Sequence, residues 1–109
     1  MRKKVYHITY PKNREPILEN GLLPKKSEKY ILYEPRIFVF LPKEENDVLL
    51  AFYYTRDENM DIWEFEVDFN SLNKDENSNS DNHFWIDFIV YPKLYKSNIN
   101  MWEVSLKRV

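Results

Sequence analysis

The 109-residue chain has no cysteine and a single glycine, Gly21. The first absence excludes disulfides, thiolate catalysis and cysteine-ligated metals together. The second excludes glycine-rich loops of the GxGxxG and GxxxxGK[ST] types, whose backbone must close on a phosphate. Rossmann and P-loop nucleotide sites go with them. Neither charge dominates: Lys and Arg number 16 and Asp and Glu 18, a net charge of -2. That balance offers no general attraction to nucleic acid or to a membrane. No stretch approaches the roughly 18 apolar residues of a membrane span. The opening "MRKKVYHITY" is basic but lacks the apolar run of a signal peptide. A cytoplasmic protein is the expectation.

What is abundant is aromatic surface, 17% of the residues, enough to pack a core. The length suits one domain, residues 1–109. Residues 5–10 read as a strand, with Val5, His7 and Thr9 on one face and Tyr6, Ile8 and Tyr10 on the other. A short helix follows, with Asn13 as N-cap, Pro16 in its first turn and Ile17 and Leu18 on its apolar side. Gly21 closes it in a left-handed conformation, and Leu22 and Leu23 turn back onto the core. "RIFVFL", residues 36–41, is an unbroken apolar run, as in a central strand. A second helix is expected over residues 43–55, with Val48, Leu49, Ala51 and Phe52 inward. "DIWEFEVDF", residues 61–69, alternates: Trp63, Phe65, Val67 and Phe69 inward, Glu64, Glu66 and Asp68 outward. Residues 70–83 are polar and low in complexity, a mobile surface loop. Strands over residues 83–92 and 100–109 complete an α+β chain that is mostly sheet, with two short helices.

His7 and Thr9 lie about 7 Å apart along one strand face. An imidazole and a hydroxyl so placed suit a sugar's hydroxyl groups, or else they are half-buried strand residues with local partners. Asp87 interrupts the apolar "FWIDFIVY", where a carboxylate is paired, faces a cleft or lies on the wet side of an edge strand. Alternation groups it with Trp85, Ile89 and Tyr91 and sends Glu103 outward. Lys25, Lys26, Lys29 and Arg36, interleaved with Tyr30 and Tyr33, form either a phosphate-contacting patch or a solvated loop. His83 falls in a loop, and neither it nor His7 has a carboxylate at metal-ligand spacing, so no metal site is expected. No serine sits in a nucleophile elbow.

The opening "VYHIT…ILENGLLP" resembles the start of the ADP-ribosyltransferase-like fold, shared by poly(ADP-ribose) polymerases, DarT-type toxins and RNA 2′-phosphotransferases. "RIFVF" resembles the family's second landmark strand, and "DFIVY", residues 87–91, stands where the family carries its catalytic Glu. A connection into the last strand, "NINMWEVSL", follows in the same order. The resemblance implies a small split β-sandwich with NAD, as substrate, in the cleft between two sheets. It implies that His7 and Thr9 contact the adenosine ribose and the nicotinamide amide region, and that Phe38 stacks on the nicotinamide ring. Arg36 would lie near the cleft, with Arg14 a further arginine for it. Asp87, with His7, would be catalytic: a carboxylate beside an oxocarbenium-like transition state stabilises the departure of nicotinamide. Two departures stand out. Phe38 in place of Tyr keeps stacking but loses a hydroxyl. Asp87 in place of Glu withdraws the carboxylate by about 1.5 Å, and a misplacement of about 1 Å can cost on the order of 100-fold in rate. The arginine set of the RNA 2′-phosphotransferases is not present. The implied function is binding of NAD or an ADP-ribose-like ligand and transfer of ADP-ribose to a macromolecular acceptor, in a bacterial or viral setting. The alternative is a catalytically degenerate member that binds a nucleotide without turnover. A third possibility is an interaction protein with an accidental match, in which His7 is buried, Asp87 lies on an open edge and no cleft joins them.

Overall fold

The computed structural model describes residues 1–25, 35–44, 59–79 and 81–100. Most of the second expected helix, the expected last strand beyond Asn100 with Glu103, and the residues Lys26, Lys29, Tyr30 and Tyr33 lie outside that set. The described strands are β1 (Arg2–Thr9), β2 (Ile37–Phe40), β3 (Asn59–Asp68), β4 (Asn73–Lys74), β5 (His83–Ile86) and β6 (Lys93–Asn100). They form one antiparallel sheet in the order β4-β5-β2-β1-β3-β6. One helix, α1 (Arg14–Asn20), follows β1 through a 3₁₀ turn at Pro11–Asn13. The described part is therefore mostly sheet, with little helix.

The pairing is uneven. β3 accompanies β1 along its whole length, from Arg2↔Asp68 to Thr9↔Asp61. β5 accompanies β2 from Ile37↔Ile86 to Phe40↔His83. Between these two pairs of strands, β1 and β2 share the single register pair Tyr6↔Phe40. The sheet thus consists of two well-paired parts joined at one point. One face packs Val5, Val39, Trp63, Phe65 and Ile86 against Ile17 of α1 and Leu22. The other buries Tyr6 and Ile62 beneath Tyr95 and Ile99.

Several sequence expectations are corrected here. β5 stops at Ile86, so Asp87 follows the strand and is exposed. The reason lies on the neighbouring strand: in the register Ile37↔Ile86 the next residue before β2 whose backbone faces β5 is Pro35, which has no N–H to donate. The chain leaves the ladder there and bridges Val90 to Leu22. The stretch taken as a connection before the last strand is itself β6. His83 opens β5, and the polar loop contains β4 paired to it. Phe69 is 45% exposed because β3 ends at Asp68, whose carboxylate accepts the Asn70 amide and starts a 3₁₀ turn. Glu64 is buried because Tyr6 donates its hydroxyl to the carboxylate at 2.8 Å while Lys93 approaches from outside. Leu23 is exposed, unlike Leu22. Asn13 stands at the N-cap position but makes no side-chain cap bond, since the preceding 3₁₀ turn has already set helical backbone there.

Gly21 has φ 81° and ψ 178°, a combination open essentially to glycine alone. Its N–H donates to the Ile17 carbonyl at 2.8 Å, ending α1. A Cβ here would lie 2.8 Å from the Val90 carbonyl oxygen and 2.9 Å from the Tyr91 ring. Conformation and space both demand glycine. Gly21→Ala is therefore expected to destabilise the fold by about 1–3 kcal/mol, measurable as a lower urea midpoint with an unchanged slope.

Candidate ligand cavity between β1 and β2

Where β1 and β2 part, a cavity of about 330 Å³ opens. The end of β1 supplies His7 and Thr9, the start of β2 supplies Arg36 and Phe38, and α1 with Gly21 and Leu22 closes the side. All four residues expected to contact a nucleotide, His7, Thr9, Phe38 and Arg36, line this one space. Asp87 does not. The antiparallel order sets the end of β5 beside the start of β2, so Asp87 stands at the cavity end of the sheet but off its wall.

His7 is half-buried, and its Nδ1 meets the carbonyl oxygen of Phe38. A carbonyl can only accept, so Nδ1 carries the proton and Nε2 keeps its lone pair. Burial pushes the imidazole below its ordinary value of 6.5; the Phe38 carbonyl opposes this and the Lys25 charge adds to it. The ring is therefore neutral at pH 7. Thr9 is buried, and its hydroxyl oxygen accepts from the Trp63 indole N–H at 2.8 Å. Arg36 lies over the Trp85 ring, 3.8 Å from its centroid, and pairs with Glu76 at 2.8 Å. The Arg36 hydrogen bond is the main reason the Glu76 carboxyl sits below its usual range. Phe38 is 39% exposed. The cavity thus offers an aromatic residue, an acceptor, a hydroxyl and two cationic residues, Lys25 and Arg36.

Behind this wall lies an ion pair that the strand pattern did not lead us to expect. Asp61 is wholly buried and accepts from Arg14 Nε and a terminal guanidinium nitrogen, each at 2.8 Å, and from the Asn98 amide at 3.0 Å. Burial raises its pKa, but the Arg14 bonds and charge with the Asn98 amide outweigh that and hold it low. A signal existed: Asp61 shares the parity of Trp63, Phe65 and Val67, so a carboxylate on that face needed a partner. Trp63 likewise read as core alone, its N–H being invisible to hydropathy. A wider groove of about 660 Å³ beside Arg2, Lys4, Glu66 and Lys93 contains none of the expected site residues. Among the described residues no His, Asp and Glu group could hold a metal ion, and no helix is long and apolar enough to cross a membrane.

Compared with known proteins, the chain matches no family model, no curated protein and no solved structure.

The two ionisations act on stability in different pH windows. His7 titrates lower when folded than its ordinary 6.5, so the unfolded chain takes up the proton first and stability falls as pH drops below about 6.5. Asp61 titrates below its ordinary 3.8, so its contribution is complete above that value and is lost as pH falls through the folded one. Urea midpoints measured against pH should show both declines. His7→Gln should flatten the upper one, leaving what His83, also lowered by burial, contributes. Asp61→Asn should cost about 3 kcal/mol at neutral pH by leaving Arg14 without its counter-charge.

Proposed function

We propose that the chain is an ADP-ribosyltransferase-like protein whose β1–β2 cavity binds NAD. The observation that supports this is spatial convergence. The three stretches that carry the resemblance fall on, or at the end of, β1, β2 and β5, which are neighbours in the sheet. Their residues His7, Thr9 and Phe38 meet at one cavity. We read the parting of the strands beyond Tyr6↔Phe40 as the split of the family's β-sandwich. The volume, about 330 Å³, is at the lower end for small-molecule sites. It suits the nicotinamide ribose half of the ligand, with the pyrophosphate running toward Lys25 and Arg36 at the mouth.

Between transfer and retention, the position of Asp87 favours retention. A carboxylate stabilises a developing oxocarbenium charge only at close range, and Asp87 is exposed, shortened relative to Glu and off the cavity wall. The reading that follows is a nucleotide-binding member of the family that holds NAD without releasing nicotinamide. Transfer to a macromolecular acceptor is the second reading, and it requires Asp87 to reach the cavity.

Calorimetric titration of NAD followed by an assay for free nicotinamide separates them. Binding by the wild type, about tenfold weaker in His7→Ala and unchanged in Asp87→Ala, with no nicotinamide formed, is the expected result. Nicotinamide release that disappears in Asp87→Ala would establish instead that the cavity cleaves NAD, the step that transfer requires. Absence of NAD binding by the wild type would overturn the proposal.

A further inference from the structure

The cavity holds two polar groups whose hydrogen-bonding capacity the protein fills only in part, and in opposite senses. At His7 the Phe38 carbonyl takes the Nδ1 proton, and Nε2 has no partner among the described residues. At Thr9 the Trp63 N–H takes a lone pair of Oγ1, and the hydroxyl proton has no protein acceptor among the described residues. Thr9 is 9% exposed and lines the cavity, so a ligand there can supply that acceptor. A buried hydroxyl with an unplaced proton is costly until something accepts it. The two groups stand two residues apart on one face of β1, about 7 Å along the strand.

We infer that Trp63 is a positioning residue of the cavity: by occupying one lone pair of Oγ1 it orients the Thr9 hydroxyl so that its proton is offered to ligand, while the Phe38 carbonyl leaves His7 Nε2 as an acceptor. The site then has a defined polarity. It takes a ligand that presents a hydroxyl donor to His7 and, some 7 Å away, a carbonyl or phosphate oxygen to Thr9. Trp63 touches no ligand itself. It acts through Thr9, and it is held immobile because its ring packs in the core beside Val5 and Phe65.

The inference rests on the NAD reading for its ligand, but its hydrogen-bond pattern can be tested without one. In nitrogen-resolved NMR of the unliganded protein, His7 should show the neutral form protonated at Nδ1, and the Trp63 indole proton should shift in Thr9→Val but not in Thr9→Ser. A His7 protonated at Nε2, or an indole signal indifferent to Thr9, overturns the inference whatever NAD does. With NAD as the probe, Thr9→Val should bind about tenfold more weakly, the equivalent of one hydrogen bond, and Thr9→Ser close to wild type. Trp63→Phe, which keeps a ring and removes the N–H, should weaken binding by a few fold. The double variant should bind no worse than Thr9→Val alone, because Trp63 has nothing left to position. It should also recover part of the melting temperature lost in Thr9→Val, since no orphaned N–H remains. Losses that simply add in the double variant would reduce Trp63 to a packing residue. If Trp63→Phe fails to fold, the serine and valine variants with the indole signal decide the matter. If the wild type does not bind NAD, the functional reading falls, and the polarity stands or falls on the NMR alone.

Discussion

The bidentate pair between Arg14 and Asp61 is the contact on which the rest of the cavity depends. It joins the first residue of α1 to a buried position on β3, with the carboxylate wholly buried and the Arg14 side chain 27% exposed. A charge in that place survives only because its acceptor sites are filled: two by the guanidinium fork and one by the Asn98 amide. The Asn98 amide is available because β6 slips register opposite Asp61, between Met60↔Ile99 and Ile62↔Lys96. Asn98 takes φ 51° there, a left-handed conformation that asparagine tolerates better than most residues. Helix, central strand and edge strand are thus pinned at one carboxylate, and α1 is held where it forms the side of the cavity.

The cavity lies where one pairing in the sheet is incomplete. β1 is matched to β3 over its full length and β2 is matched to β5, so each has a complete partner on one side. Their common edge holds at Tyr6↔Phe40 and then opens. Gly21 makes the opening usable, since only a residue without a side chain lets α1 end against Val90 and Tyr91. The polar groups at the opening are not left to rotate freely. Phe38 and Trp63 each fix one of them, which is the kind of second layer that gives a small site a preferred ligand orientation.

Much of this was legible in the sequence. The left-handed closure at Gly21, the central place of the apolar run at β2, and the shared face of Val5, His7 and Thr9 all follow from local rules, because backbone sterics and period-two alternation act within a few residues. The boundaries were less so. Alternation through 83–92 suggested one long strand, and it broke after Ile86 because the facing backbone runs into Pro35, which has no N–H to continue the ladder. Glu64 looked solvent-facing from its own strand, and became buried because Tyr6 and Ile62 form a second core on that face. Asp61 shared the inward parity of its strand, yet which cation would meet it lay 47 positions away in the chain.

The sequence alone determined that a short helix follows the HxT strand, that glycine must end it, and that no cysteine or glycine-rich loop chemistry is available. Those are consequences of composition and of neighbours along the chain. Only the tertiary structure decided that His7, Thr9, Arg36 and Phe38 share a cavity while Asp87 stands outside it. It also assigned the proton on His7 and the partner of Thr9, because hydrogen bonds of that kind are set by strand register between distant segments, and register is fixed by which backbone groups remain unpaired once the sheet has assembled.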